Sequence, residues 1–214
     1  MRLHGYWRSS AAYRVRIAVR LKGLALEESF HALPKAEHRQ DAFLALNPQG
    51  LVPALQTAQG VITQSMAIIE YLDEVFTEPR MLPADPYARA VVRGMAGIVC
   101  ADVHPLNNLR VLNYLRAELG ADEPRVNRWI NHWISEGFQG LEALAKRHSS
   151  AQRFCFGDSA TLADVCLVPQ MFNARRFNCP LDAYPTLVAI DKHCRSLDAF
   201  RLAAPDLQPD AVLQ

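Results

Sequence analysis

The chain has 214 residues, enough for one large domain or two modest ones, and half of them are hydrophobic, which excludes a disordered polypeptide. With 23 basic and 22 acidic residues, it has no global charge that would attract nucleic acid or an acidic membrane surface. No apolar run approaches the ~20 residues needed to cross a bilayer, so we expect neither a nucleic-acid nor a membrane partner.

The cysteines and the N-terminal charge bear on the cellular compartment. All five cysteines lie at or beyond residue 100, and no two show C-x-x-C spacing. This pattern favours reduced thiols in a cytoplasmic protein over a disulfide framework or a zinc site. Residues 1–26 carry six Arg or Lys and no acid, as a mitochondrial transit peptide does, but the same stretch also predicts a folded strand and helix.

The first 80 residues show the order βαβ followed by ββα. A strand at 1–7, a helix at 11–22 that stops at Gly23, and a strand at 24–33 predict a βαβ crossover. After a polar helical stretch at 36–46, short strands at 51–55 and 61–64 predict a hairpin. A helix then begins at Ser65, and its expected apolar face carries Ile68, Ile69, Leu72, Val75 and Phe76. This order predicts a thioredoxin-like sheet.

The second half predicts only helices. The proline-rich stretch 79–86 is typical of a linker, so we predict domains at 1–80 and 86–214. Pro105 and Pro169 should kink or break two of the helices. Thr161 and Asp164 have the spacing of a capping box, which we interpret as structural. The helical patterns cover 86–119, 123–148, 161–177 and 185–196.

Arg8-Ser9-Ser10 stands where the first strand turns into the first helix. The free N–H groups and the dipole of a helix N-terminus stabilise an anion and lower the pKa of a thiol held there. Ala11 and Ala12 follow the serines, so the sulfur would have to come from a ligand. The alternative is that the serines only cap the helix.

Two further junctions could bind a ligand. Val52-Pro53 precedes a strand, and a cis bond there would turn the Val52 backbone outward toward an extended peptide. Gln64-Ser65 lies at a second strand-to-helix junction, where the helix N-terminus could hold a carboxylate. Simple N-capping by Ser65 is the alternative.

Basic and polar groups recur in the helical half, at Arg175-Arg176 with Asn173 and along the segment 104–110. Solvated surface is the alternative interpretation for both. Arg14, Arg16 and Arg20 occupy helical positions that suit a solvated or salt-bridged surface, which gives no basic face for nucleic acid.

Four segments together resemble the glutathione transferase superfamily, and within it the zeta class, which includes maleylacetoacetate and maleylpyruvate isomerases. The resemblance covers nearly the whole chain and implies the glutathione transferase fold, an α/β thioredoxin-like N-terminal domain plus an all-α C-terminal domain. The segments are residues 6–10 with 14–18, residues 45–53, residues 64–72 and residues 162–170.

The resemblance implies glutathione as the cofactor and assigns residues to it. Ser9, with Ser10 beside it, would donate a hydrogen bond to the glutathione sulfur. The backbone of Val52, with Pro53 cis, would pair with the cysteinyl unit. The remaining contacts would come from Gln64 and Ser65 to the γ-glutamyl carboxylate, from His38 and Gln49 to the glycyl end, and from His104 and Asn108 near the substrate.

Arg8 and Arg176 match the arginines expected to hold the carboxylates of a small dicarboxylate substrate, with Arg110 as a further candidate. Zeta enzymes usually read Ser-Ser-Cys-Ser at the first junction, whereas this chain reads Ser-Ser-Ala-Ala at residues 9–12. Isomerisation does not need that cysteine, because glutathione supplies the nucleophile. The departure bears on which substrate is used.

The implied activity is glutathione-dependent cis–trans isomerisation of a maleyl diketo acid by a cytoplasmic homodimer in aromatic amino acid catabolism. One alternative is a transferase that conjugates or dehalogenates small electrophilic acids. Another is a non-catalytic binding module, because fold alone does not fix function.

Overall fold

The structure is a computed structural model that describes residues 1–212 and divides the chain into two compact units. The first unit is Met1–Arg80 together with the chain from Leu197 onward, and the second is Met81–Ser196. Our predicted second domain, 86–214, therefore differs at its C-terminal end. Contacts of the N-terminal segment explain the difference: the Tyr13 hydroxyl donates to the Phe200 carbonyl at 3.3 Å, and the Trp7 amide donates to Asp210 Oδ2 at 2.9 Å.

The first unit is built on a four-stranded sheet in the order β2-β1-β3-β4. β1 runs parallel to β2 and antiparallel to β3, which pairs antiparallel with β4. This is the predicted thioredoxin-like arrangement. The elements are β1 Arg2–Gly5, α1 Ser10–Leu21, β2 Glu27–Phe30, α2 Asp41–Leu44, β3 Ala54–Thr57, β4 Gly60–Thr63 and α3 Ser65–Val75, with 3-10 turns at Leu33–Lys35 and Glu37–Arg39.

The observed boundaries differ from the predicted ones mainly by shortening. β2 is confined to four residues and β3 begins only at Ala54, while the predicted helical stretch 36–46 contains a 3-10 turn at Glu37–Arg39 followed by the four-residue α2. On α3, Ile68, Ile69 and Leu72 are buried as predicted. Val75 is 52% exposed, so its assignment to the buried face is wrong, because the helix ends at this residue.

Helix α1 is buried on almost every side, which corrects the prediction for two of its arginines. Arg14 is 2% and Arg16 5% exposed, and only Arg20 lies on the surface. The helix contacts α3 and also the short helix at residues 198–201, so it has little solvent face. Arg16 donates to the carbonyls of Trp7 at 2.9 Å and Ala203 at 3.1 Å, and burial lowers its pKa to about 10.

The second unit is built from helices, with an isolated β-bridge between Ser149 and Gly157. The first predicted helix is interrupted: α4 passes into a π-helical turn at Ile98–Val103 and a 3-10 turn at Pro105–Asn107 before α5 begins. Pro105 therefore ends the helix, as predicted, whereas Pro169 lies inside a continuous α7. The helices are α4 Pro86–Gly97, α5 Leu109–Ala117, α6 Glu123–His148, α7 Leu162–Arg176 and α8 Pro185–Ser196; α9, Asp198–Arg201, belongs to the first unit.

The predicted capping box opens α7 and is confirmed. Asp164, fully buried, accepts hydrogen bonds from the amide and hydroxyl of Thr161, both at 2.8 Å, and from the Cys155 amide at 2.6 Å. All five cysteines are free thiols. Among residues 1–212, no helix is both long and apolar enough to cross a membrane.

Candidate functional site

Ser9 is the N-cap of α1. Its Oγ accepts a hydrogen bond from the Ala12 amide at 3.2 Å, and no acidic residue lies in the first turn of the helix. A hydroxyl has one donor and two acceptor positions, so capping leaves the Ser9 proton available to a second partner. Capping and ligand binding, which the sequence left as alternatives, are therefore compatible.

The neighbours of Ser9 differ in exposure. Ser10 is the first residue of α1 and only 8% exposed, so little of its side chain could reach a ligand. Arg8 is half-buried, and its guanidinium lies 5.2 Å from the centre of the Trp7 ring, a cation–π contact. The aromatic ring orients the Arg8 cation beside the N-terminus of α1.

Gln64 and Ser65 occupy the second junction, where β4 passes into α3. Gln64 has φ 71°, a backbone conformation that is sparsely populated by residues other than glycine and is characteristic of functional sites. Ser65 is the first residue of α3, and its Oγ accepts a hydrogen bond from Arg14 Nη1 at 3.3 Å. The Gln64 side chain makes no capping hydrogen bond to α3, and the dipole at this helix N-terminus favours an anion.

Val52 lies two residues before β3, and its bond to Pro53 is cis, as the hypothesis required. Within residues 1–212, neither the amide nor the carbonyl of Val52 forms a backbone hydrogen bond. This leaves one donor and one acceptor for an extended peptide, the pairing used when a peptide adds to a sheet edge.

His38 and Gln49 lie on neighbouring turns. Arg39 Nη1 donates to the Gln49 carbonyl at 3.2 Å, which joins the turn that carries His38 to the one that carries Gln49. Gly50 allows the two turns to approach each other closely. It has φ +58°, and a Cβ at this position would lie 2.9 Å from Arg39 Nη1. The pKa of His38 is lowered by burial and then by Arg39, and its Nδ1 has no hydrogen-bond partner in the part of the chain that is described.

These groups give the first unit a consistent chemistry. It offers a hydroxyl at a positive helix end for a thiolate, an open backbone pair for a peptide unit, and a second helix end for a carboxylate. Gln49 and Gln64, predicted from separate motifs, are in direct contact, because Gln64 Nε2 donates to Gln49 Oε1 at 2.8 Å. The arrangement suits a short peptide with a thiol in its middle.

In the second unit, three predicted residues follow the π-helical turn. The His104 amide donates to the Val99 carbonyl at 2.9 Å and closes that turn. Asn108 is the N-cap of α5, where its Oδ1 accepts from the Arg110 amide at 3.1 Å. Arg110 is exposed on the first turn of the same helix. Its side chain can reach an anion, whereas the side-chain oxygen of Asn108 already serves as a cap.

The two adjacent arginines at the end of α7 have different contacts. Arg175 Nη2 donates to Asp191 Oδ2 at 2.6 Å, and Asp191 is fully buried. Arg176 is exposed, with its guanidinium 4.9 Å from the centre of the Phe177 ring. Arg175 therefore neutralises a buried carboxylate, and Arg176 is exposed to solvent.

Sequence reasoning missed two residues of this site. Asn47, 2% exposed, donates to the Leu51 carbonyl at 2.7 Å and accepts from the Gln49 amide at 3.1 Å, which fixes the turn before Val52. Arg14 contacts Ser65 although it was assigned to the surface. The apolar residues on every side of Arg14 in α1 are the signal that could have indicated its burial.

Comparison with known proteins gives consistent relatives. The family described as glutathione S-transferase, N-terminal domain, matches residues 8–75. The chain is 51% identical to a maleylpyruvate isomerase from a Ralstonia species, with 99% of this chain and 100% of that protein covered. Among solved structures, a holo maleyl pyruvate isomerase, a bacterial zeta-class glutathione S-transferase, aligns with a TM-score of 0.97 at 51% identity over 99% of this chain and 100% of that chain.

A second solved structure carries ligands. It is a maleylacetoacetate isomerase from Methylobacterium extorquens AM1 with bound malonate and GSH, which aligns with a TM-score of 0.95 at 39% identity over the whole of both chains. The ligands of that protein are a dicarboxylate and a thiol tripeptide.

Proposed function

The chain belongs to the zeta class of the glutathione S-transferase family, and on that premise we propose that it isomerises a maleyl diketo acid with glutathione as its cofactor. It is a glutathione-dependent isomerase of the maleylpyruvate or maleylacetoacetate type. The geometry of Ser9 carries the mechanism, because its hydroxyl caps α1 and still has a proton to donate.

Ser9 activates the sulfur. Its hydroxyl donates to the glutathione thiol group, and the N-terminus of α1 favours the thiolate over the thiol. No acid in the first turn of α1 opposes that charge. The nucleophile is the ligand's own, because Ala11 and Ala12 follow the serines and the junction carries no cysteine.

The peptide is held at three further points. The Val52 backbone pairs with the cysteinyl unit, Gln64 and Ser65 bind the γ-glutamyl carboxylate, and His38 with Gln49 binds the glycyl end. The open backbone of Val52 and the positive end of the α3 dipole at Ser65 support these assignments.

The reaction is an addition followed by an elimination. The thiolate sulfur forms a bond to one carbon of the cis double bond, and the π electrons move to the conjugated carbonyl oxygen as an enolate. The former double bond, now single, rotates. The enolate then re-forms the double bond in the trans geometry as the carbon–sulfur bond breaks, so glutathione is regenerated.

The arginines bind the substrate. Arg8 and Arg176 each hold a carboxylate through the planar fork of the guanidinium, and fixed cations of this kind also stabilise an enolate oxygen. The ring contacts of Arg8 and Arg176 orient both groups in advance. Arg110, His104 and Asn108 complete the substrate-binding set.

The test is an absorbance assay of maleylpyruvate and maleylacetoacetate with substoichiometric glutathione. We expect complete conversion to the trans isomer and full recovery of the thiol. Stoichiometric loss of glutathione would instead indicate the conjugating or dehalogenating transferase, and glutathione binding without any turnover would indicate a non-catalytic module.

A pair of variants separates the two roles of Ser9. Ser9→Asp keeps an N-cap acceptor but replaces the hydroxyl donor with a negative charge, so the protein should fold while bound glutathione stays a thiol at neutral pH. Ser9→Ala loses both roles and should also lower the free energy of unfolding by about 1 kcal/mol. The readout is the ultraviolet absorbance of the bound thiolate as a function of pH.

The same proposal includes a cytoplasmic homodimer that acts in aromatic amino acid catabolism. Family membership and the free state of all five thiols support it. Light scattering on the purified protein tests the dimer.

A further inference from the structure

Arg14 is a buried cation whose charge is not neutralised within the described structure. Its side chain is 2% exposed, and no carboxylate among residues 1–212 lies within ion-pair distance of it. Nη1 donates to Ser65 Oγ at 3.3 Å, whereas Nε and Nη2 have no hydrogen-bond partner. A buried charge of this kind is costly unless something compensates it.

We propose that Arg14 is a positioning residue that orients the Ser65 hydroxyl toward a bound carboxylate and places a buried positive charge beside it. This inference rests on the proposed function, in which Ser65 binds the γ-glutamyl carboxylate of glutathione. The carboxylate is the counter-charge that the guanidinium lacks in the free protein.

The orientation of the Ser65 hydroxyl follows from which atoms can donate and which can accept hydrogen bonds. A guanidinium has only donors, so the Ser65 oxygen must accept from Arg14, and the hydroxyl proton must point elsewhere. A carboxylate at the N-terminus of α3 is an acceptor only and requires that proton. Without Arg14 the hydroxyl is free to rotate, and part of its donor capacity toward the ligand is lost.

Ser9 uses the same device with a different donor. Its oxygen accepts from the Ala12 amide, which also directs the hydroxyl proton outward. Both serines of the site thus receive one hydrogen bond from the protein and donate one to an anion, Ser9 to the thiolate and Ser65 to the carboxylate. Only the donor to Ser65 is a side chain and can be removed by substitution.

The charge acts together with the helix end. α3 has eleven residues and no acid in its first turn, so its dipole also favours an anion at Ser65. Inside the protein the low dielectric strengthens the attraction between the guanidinium and a carboxylate. Loss of the Arg14 charge should therefore weaken the binding of a ligand that bears the carboxylate. The binding of ligands without it should be unaffected.

The experiment measures two ligands by calorimetry on the full-length protein. They are glutathione and γ-aminobutyryl-cysteinylglycine, which lacks only the α-carboxylate of the γ-glutamyl unit. We expect Arg14→Met to raise the Kd of glutathione by about tenfold or more, as expected for loss of a hydrogen bond to a charged group. The Kd of the analogue should rise by less than about twofold. Arg14→Lys should restore most of the difference, and Arg20→Met, an exposed arginine of the same helix, should change neither affinity.

If Arg14→Met weakened the binding of both peptides equally, or left the preference for glutathione unchanged, the proposed role of Arg14 would be wrong. If Arg14→Met does not fold, as judged by circular dichroism, Arg14→Gln gives the same comparison, because it keeps a donor and loses the charge. The wild-type protein separates this inference from its premise. No glutathione binding would refute the proposed function, whereas equal binding of both peptides would refute only the placement of the carboxylate at Ser65.

Discussion

The side chain of Gln64 donates a hydrogen bond from Nε2 to Oε1 of Gln49 across 2.8 Å. The two residues lie on different turns, and Gln64 adopts a backbone φ of 71° at the junction of β4 and α3. The hydrogen bond therefore couples the turn before Val52 to the N-terminus of α3. It holds the two halves of the proposed peptide site at a fixed separation.

We expect Gln49→Ala to weaken glutathione binding by roughly fivefold, since a neutral hydrogen bond contributes about 1 kcal/mol. The loss should appear in KM for glutathione rather than in the stability of the fold, because both side chains lie at the surface. Gln59→Ala, an exposed glutamine in the hairpin turn, is the matched control and should leave KM unchanged. Identical KM values for the two variants would show that the hydrogen bond does not shape the site.

A second prediction concerns pH and the histidines of the first unit. His4 Nδ1 lies 3.0 Å from His31 Nε2, and His4 Nε2 lies 3.4 Å from Gln56 Oε1. Burial lowers the pKa of both histidines, with a further contribution to His31 from His4. Their pKa values in the folded state are therefore below the ordinary value of 6.5, and the unfolded chain binds more protons as the pH falls.

The stabilising effect of neutral His4 and His31 is thus fully present above pH 6.5 and is lost as the pH falls below it. We expect the free energy of unfolding, measured by denaturant titration, to decrease over this range. His31→Gln keeps a donor for His4 but does not titrate, so the decrease should be smaller. His132→Gln, an exposed histidine on α6, should keep the wild-type slope, and a similar slope in all three proteins would contradict the assignment.

Local patterns were enough to predict most of the first unit and the local structure at its candidate ligand-binding residues. The serine cap before α1, the Val52-Pro53 pair and the Gln64-Ser65 junction are each determined by a few adjacent residues, and the structure places them where the pattern indicates. Pro105 likewise ends a helix because its ring removes a donor within the local turn.

What the sequence did not predict depends on residues far apart in the chain. Arg14 and Arg16 have the charge of surface residues, but α1 is covered by segments some 50 and 190 positions away, at Ser65 and Ala203. The sequence of the helix alone cannot predict those contacts. The same reason explains why the compact units divide the chain differently from the predicted domains, since the Tyr13 hydroxyl donates to the carbonyl of Phe200.

A third prediction concerns the π-helical turn that precedes His104. Gly137 on α6 packs against this turn so closely that a Cβ would lie 2.1 Å from Val103 Cγ2. We expect Gly137→Ala to lower the free energy of unfolding by about 1–3 kcal/mol, the range for overpacking, and to raise KM for the substrate because His104 follows directly. Chemical denaturation and steady-state kinetics measure the two effects.

Gly140→Ala is the control on the same helix. Its added Cβ would meet its nearest neighbour, Ile98 Cδ1, at 3.9 Å, an ordinary contact. The higher helix propensity of alanine should make this variant neutral or slightly more stable. Equal destabilisation by both substitutions would mean that helix α6, and not the contact with Val103, is the sensitive feature.

The last prediction uses the adjacent arginines of α7, which the structure places in different environments. Arg176→Ala should weaken the binding of a dicarboxylate substrate by about 1.5–3 kcal/mol, the range for hydrogen bonds to charged groups. The melting temperature should change little, because the side chain is exposed. Arg176→Lys should restore only part of the loss, since an ammonium cannot bind a carboxylate in a bidentate way.

Arg175→Ala should have the opposite pattern. It removes one of two arginines from the fully buried carboxylate of Asp191, whose Oδ2 accepts from Arg175 at 2.6 Å and from Arg195 at 2.9 Å. Truncating one partner of a buried charge is destabilising, so we expect a lower melting temperature. KM for the substrate should stay within about twofold, well short of the change that loss of a charged hydrogen bond produces. If instead Arg175→Ala raised KM and Arg176→Ala did not, the substrate would bind at Arg175, and the assignment of Arg176 would be wrong.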